Sequence, residues 1–200
     1  MKYQNIREEE LKNKVAQDYF WRYDCTKIIG NVDFCVCMFQ SQNPLFEQES
    51  LLWAEAKQGS SDIYNSLVQL ILTIGKARTF DKFLPPAMLG ALDGEKIAFV
   101  PYQDIHEVFY LNDFNWNVTP SNHDSKEFKL IHKRVKTTIE TNALLFDYLK
   151  DDKELEKFIK QNFIVGKFGM TKTKIDKNNF MVIYNKWLQA VKPTIAVHWD

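Results

Sequence analysis

The chain has 200 residues, and its 26 lysine and arginine residues balance 26 aspartate and glutamate residues. With 45% apolar and 14% aromatic residues it carries material for a packed core, which excludes a disordered or collagen-like chain. Zero net charge excludes a protein that coats nucleic acid by bulk charge, though not a local basic cleft.

The elements follow in chain order. Residues 6–22 predict an opening helix, because Leu11, Val15 and Tyr19 fall on one face at helical spacing. Glu8 shares that face, while Glu9 and Glu10 point away. Lys27–Gln40 predicts one or two strands with a turn near Gly30 and Asn31. Cys35 and Cys37 lie two apart there and are expected as small buried apolar residues; with Cys25 they form no even disulfide framework.

Leu51–Ala54 begins a short apolar strand that runs into Glu55, Ala56 and Lys57, and Gln58–Ser61 breaks it. Ser60 or Ser61 is expected to cap a helix from Asp62 to Ala77 that is apolar on nearly every side, hence buried. Its polar stripe is Asp62, Asn65, Ser66, Gln69, Thr73 and Lys76, which must face water or a site.

After Pro85 and Pro86, strands are expected at Lys96–Tyr102 and His106–Leu111. Phe114–Pro120 reads as a loop rich in aromatics and amides, in which Trp116 and Asn117 are candidates either for DNA contact or for packing. Ser121 is expected to cap a long helix to about Lys150, with a break near Thr141 and Asn142, and a charged helix is expected over Asp152–Asn162. The lysine-rich segment 166–179 is expected to be exposed, followed by a last helix over Phe180–Ala190. The apolar, abrupt ending at Ile195–Asp200 suggests the front of a longer protein.

No run reaches 18 apolar residues, so no membrane-spanning helix is predicted; the charged N-terminus is unlike a signal peptide, and a cytoplasmic protein is expected. The four histidines fall into no ligand spacing, and Lys76, Arg78 and Lys82 are candidates for phosphate contact or ordinary surface charge.

Chemistry concentrates at Asp33 and at Glu55 with Lys57. Residues two apart on a strand project from one face, and Asp33 on a neighbouring strand is placed to meet Glu55. Two converging carboxylates make a hard oxygen site suited to Mg²⁺, and a lysine beside them orients water or balances phosphate charge. The pattern Asp/Glu-x-Lys occurs five times in the chain, but only Glu55 and Lys57 follow a buried apolar run, where a charge must be paired or metal-bound.

Asp33 followed by Glu55-Ala56-Lys57, in a helix–strand–strand–helix order, resembles the PD-(D/E)xK nuclease superfamily. More narrowly, the stretches GNVDFCV (30–36), LLWAEAKQG (51–59), SLVQLILTIGKAR (66–78) and FNWNVTPSNH (114–123) resemble the N-terminal nuclease domain of type IIG-like restriction–modification enzymes. The resemblance implies metal ligands at Asp33 and Glu55, with Glu8 as the first-helix acid near the metal. It implies a catalytic lysine at Lys57 and a site-orienting glutamine at Gln69. Two positions depart from the pattern: Val32 replaces the proline before Asp33, and Thr73 stands where the RecB-like branch has tyrosine.

The expected fold is α/β, a mixed central sheet of four or five strands flanked by helices, with a helical C-terminal extension. Residues 1–120 are expected to form the nuclease core and 121–200 the helical extension, for which the resemblance implies the start of a connector to a methyltransferase domain. The expected activity is DNA cleavage with Mg²⁺, for which Mn²⁺ substitutes. Expected partners are DNA, methyltransferase and target-recognition domains in a longer chain, and a second copy for double-strand cleavage. The alternatives are an inactive nuclease-like docking or DNA-binding module and a stand-alone repair or defence nuclease.

Overall fold

The computed structural model describes residues 2–39 and 49–163, together with Phe180 and Tyr184. The central strand β2 (Ser50–Ala56) is buried along its whole length, which fixes the architecture: both of its faces need a cover. It pairs antiparallel with β1 (Phe34–Cys37) and parallel with β3 (Met88–Leu92). Then β4 (Lys96–Pro101) joins β3, and β5 (Leu144–Asp147) joins β4, both antiparallel. The result is a five-stranded mixed sheet in the order β1-β2-β3-β4-β5, as the α/β expectation requires.

Side chains alternate across the sheet. One face, here the near face, presents Cys35, Cys37, Trp53, Leu89, Ala91, Ala98 and Val100 to the buried sides of α2 (Ile63–Ala77) and α5 (Lys126–Asn142). The far face presents Phe34, Val36, Leu52, Ala54, Leu92, Ile97 and Phe99 to α1 (Glu8–Tyr19) and α6 (Asp152–Asn162). Short helices α3 (Thr79–Lys82) and α4 (Tyr102–Ile105) complete the connections. Residues 126–163 thus add a strand and two helices to the same layered body as residues 2–120. Among the described residues no helix is long and apolar enough to cross a membrane.

Several local expectations are corrected. His106–Leu111 is not a strand: His106–Tyr110 forms a 3-10 turn, with Val108 and Phe109 consecutively buried where a half-buried strand would alternate. β3 was hidden in the sequence because Met88–Leu92 carries Gly90 and Ala91, poor strand formers. Its glycine is required by crowding, since a Cβ there would lie 2.9 Å from the Ala98 carbonyl oxygen and from Leu52 Cδ1. The long helix ends at Asn142, whose side-chain amide donates to Asp104 Oδ2 at 2.9 Å, and the chain continues as β5. Its cap is Ser125, accepting from the Phe128 N–H, and not Ser121. Asp62 caps α2 in place of either serine, accepting from the N–H groups of Tyr64 and Asn65. The expected features over 166–179 and most of 180–190 lie outside the described residues.

Candidate active site

The near face changes character at the end of β2. Glu55 follows Trp53 by two residues and so points to the same face, where it is 3% exposed. Asp33 immediately precedes β1 and does not lie within it. Phe34 pairs with Ala54, so continuing the register sets Asp33 opposite Glu55, with both side chains on one face. The ladder stops there because its donors turn elsewhere. The Ala56 N–H donates to Asp33 Oδ2 at 3.4 Å, and the Val32 N–H turns back to the Ile29 carbonyl at 3.2 Å.

Lys57 and Gln69 close the site from two sides. Lys57 Nζ donates to Glu55 Oε1 at 2.7 Å, and Gln69 Nε2, on the buried polar stripe of α2, donates to the same oxygen at 2.5 Å. Ser66 is buried on that stripe one turn earlier, Asn65 and Thr73 are half-buried, and Lys76 is exposed at its outer end. The stripe thus faces the site at its centre and water at its end.

The electrostatics follow from this crowding. Burial and the charge of Asp33 push the Glu55 carboxyl up to about 7, against the pull of Lys57. Glu8 comes within electrostatic range from α1: burial first, and then Asp33, raise its carboxyl, while Lys57 opposes them. Asp33, Glu55, Lys57 and Gln69 therefore meet. Glu8 lies near them without completing a ligand set, since no group of three His, Cys, Asp or Glu placed to hold a metal ion occurs among the described residues.

Sequence reasoning missed the residue that anchors the strand end. Asp93, in the turn after β3, is fully buried. It accepts from the Ser61 N–H at 2.8 Å and hydroxyl at 3.0 Å, and it pairs with Lys96 Nζ at 3.0 Å. Beside it the Gly94 N–H donates to the Gly59 carbonyl at 2.7 Å, and the Lys57 N–H donates to Leu92 at 2.9 Å. Gly59 has φ +76°, a left-handed conformation that glycine adopts without strain. The Asp93-Gly94 pair between two apolar runs was the available signal.

The other candidates are otherwise engaged. Trp116 packs on α2 at Gly75, where a Cβ would lie 2.0 Å from the indole ring. Lys76 Nζ donates to the Val118 carbonyl, Arg78 pairs with Asp81, and Lys82 Nζ donates to the Ala77 carbonyl. His123 stacks on Phe128. Cys35 and Cys37 are buried and Cys25 half-buried, all three free, and burial raises each thiol. Compared with known proteins, the chain matches no family model, no curated protein and no solved structure.

Proposed function

We propose that this protein is a metal-dependent DNA endonuclease whose site is Asp33, Glu55 and Lys57, positioned by Gln69. The observation that carries the reading is Glu55: a buried carboxylate facing a second carboxylate across the strand pair, with a lysine on one of its oxygens. A stability role alone accounts poorly for two converging carboxylates, since like charges at close range raise each other's cost.

The donor set fits a hard divalent cation. Asp33 and Glu55 offer carboxylate oxygens, the ligand type of Mg²⁺, which retains waters and needs only one or two protein carboxylates. A bound divalent ion supplies Lewis-acid stabilisation of phosphate charge and lowers the pKa of water. Lys57 brings an ammonium whose remaining N–H groups orient the attacking water or balance charge on a phosphate oxygen. Gln69 fixes the Glu55 rotamer through Oε1. The Asp93 anchor holds the Lys57 backbone in place. Water adds to phosphorus and the P–O bond to the leaving sugar oxygen breaks.

A restriction–modification setting, with methyltransferase and target-recognition functions in a longer chain and pairing of two copies to cut both strands, completes the proposal. Nicking of supercoiled plasmid tests it. Mg²⁺ or Mn²⁺ should support nicking, and EDTA or Lys57→Ala should abolish it. Metal-supported nicking that survives Lys57→Ala contradicts the assignment of the site. Absence of nicking at every metal concentration, with the target sequence supplied, moves the protein to an inactive nuclease-like module.

A further inference from the structure

The zero net charge conceals a segregation of charge between the two helix layers. On the far face, α1 carries Lys12 and Lys14 against Glu8, Glu9, Glu10 and Asp18, and α6 carries three lysines against three acids. On the near face α2 holds one cation and no acid, and α5 holds Lys126, Lys129, Lys133, Arg134 and Lys136 against Glu127 and Glu140.

The α5 cations form a ridge. At 100° per residue Lys126, Lys129, Lys133 and Lys136 fall within an arc of about 80°, and they span about 15 Å of helix. Phe128, Ile131, Val135 and Ile139 bury the opposite side, so all five cations are exposed. The ridge is little neutralised. Lys129 lies 3.7 Å from Asp124 and Lys136 3.8 Å from Glu140, both exposed pairs of the weak kind. Lys126, Lys133 and Arg134 have no ion-pair partner among the described residues.

The ridge borders α2, the helix that carries Gln69, on the flank turned away from Gln69. A cleft of about 210 Å³ between α5 and the first turn of α2 is lined by Lys136, Glu140 and His132 on one side and Asp62, Tyr64 and Val68 on the other. Asp62 is the fifth residue after Lys57, so the Lys136 end of the ridge stands beside the segment that leaves the site.

We infer that the α5 ridge is a docking surface for the phosphate backbone of duplex nucleic acid, on the far side of α2 from the Asp33–Glu55–Lys57 site. The inference rests on the proposed nuclease reading. A duplex presents roughly one charge per 1.7 Å of axis, about nine along the length of the ridge, and so matches a row of cations. Such a ridge positions the backbone and carries no sequence preference.

Anisotropy of a labelled duplex of about 30 bp, titrated with the 200-residue chain in EDTA over a series of salt concentrations, tests this. The ridge variant is Lys129→Glu with Lys133→Glu and Lys136→Glu. The control, Lys153→Glu with Lys157→Glu and Lys160→Glu, makes the same change in net charge on α6. All six positions are exposed, and thermal melts verify both folds. The ridge variant should bind at least about tenfold more weakly and lose about 2–3 from the slope of log K against log salt, at about 0.9 per phosphate contact. The control should change affinity by less than about threefold, as expected for screened distant charge. Equal weakening in both variants, unchanged binding by the ridge variant, or no binding by the unaltered chain would each overturn the inference. Unchanged binding would turn the ridge toward an acidic protein partner. Because EDTA removes catalysis from the readout, failure here is distinguishable from failure of the nicking assay.

Discussion

The two faces of the sheet are built from the same kinds of apolar residue and finished in different ways. On the far face Phe99 is fully buried among Phe146, Phe158 and Phe163, and, apart from the buried Tyr148 hydroxyl, the polar groups sit at the margin. There the Tyr19 hydroxyl donates to Asp152 Oδ1 and the Tyr3 hydroxyl to Asp18 Oδ2, each at 2.6 Å. On the near face the apolar packing of Trp53 gives way within two residues to a buried Glu55 tied to Lys57 and Gln69. Burial without polar groups is what stability alone selects. Burial with a carboxylate raised to about 7 needs a further reason, and in the proposed nuclease that reason is a cation to be bound.

That contrast is most sharply tested by substitutions that separate stability from activity. Phe99→Ala on the far face should cost about 3–5 kcal/mol, the range for deleting a buried aromatic, measured by chemical denaturation. Asp33→Asn on the near face should instead leave the fold as stable or more stable at neutral pH, because it relieves Glu55, and lower metal-supported nicking by at least about a hundredfold, the scale of losing a positioned electrostatic group.

The next effect is pH-dependent. Glu55 titrates near 7 in the fold, against about 4.3 in an unfolded chain. A raised folded value means that its contribution to stability is fully present below about pH 4.3 and is lost as the pH rises through about 7. In EDTA, Glu55→Gln should therefore be more stable than the unaltered protein at about pH 8 by up to roughly 3 kcal/mol, and no more stable near pH 4. Paired denaturation curves at the two pH values measure this. Metal should stabilise the unaltered protein and not the variant.

Smaller effects probe the edges of the comparison. Asp62→Ala removes the α2 cap next to the site and should cost about 1 kcal/mol. Tyr148→Phe probes the apolar rule of the far face. The Tyr148 hydroxyl is buried with no hydrogen-bond partner among the described residues, while its ring packs on Tyr3 and Tyr19. Removing that hydroxyl should be neutral or stabilising by about 1 kcal/mol, since an unsatisfied buried polar group carries a desolvation penalty. A clear loss of stability would show that the hydroxyl is engaged.

The parts of this architecture that could be read in the sequence share a physical basis. Leu51–Trp53 and the apolar stripes of α1 and α2 announce themselves by periodicity. The Glu55–Lys57 pair stands out because it follows a buried run. What stayed hidden depends on tertiary context. Met88–Leu92 is a strand because Gly90 fits the narrow gap between Leu52 and the Ala98 carbonyl. Leu144–Asp147 is an edge strand because β4 offers it a ladder, although its exposed Leu144 and Leu145 follow a helical run without obvious punctuation. Trp116 packs on α2 because Gly75 leaves room for an indole, a complementarity invisible at a separation of 41 residues. At the site, strand spacing indicated that Asp33, Glu55 and Lys57 converge, whereas the role of Gln69 came only from the nuclease resemblance. The anchoring by Asp93 required seeing the β3–β4 turn beside Ser61.

The most direct measurement is the titration of the Glu55 side-chain carboxyl by ¹³C NMR, in EDTA and with Mg²⁺. An apparent pKa near 7 is expected without metal, with a partial fall in Asp33→Asn, since burial still raises the carboxyl, and a fall in the unaltered protein when Mg²⁺ is added. An ordinary carboxylate titration in EDTA, with no response to Mg²⁺ or to Asp33→Asn, would contradict it.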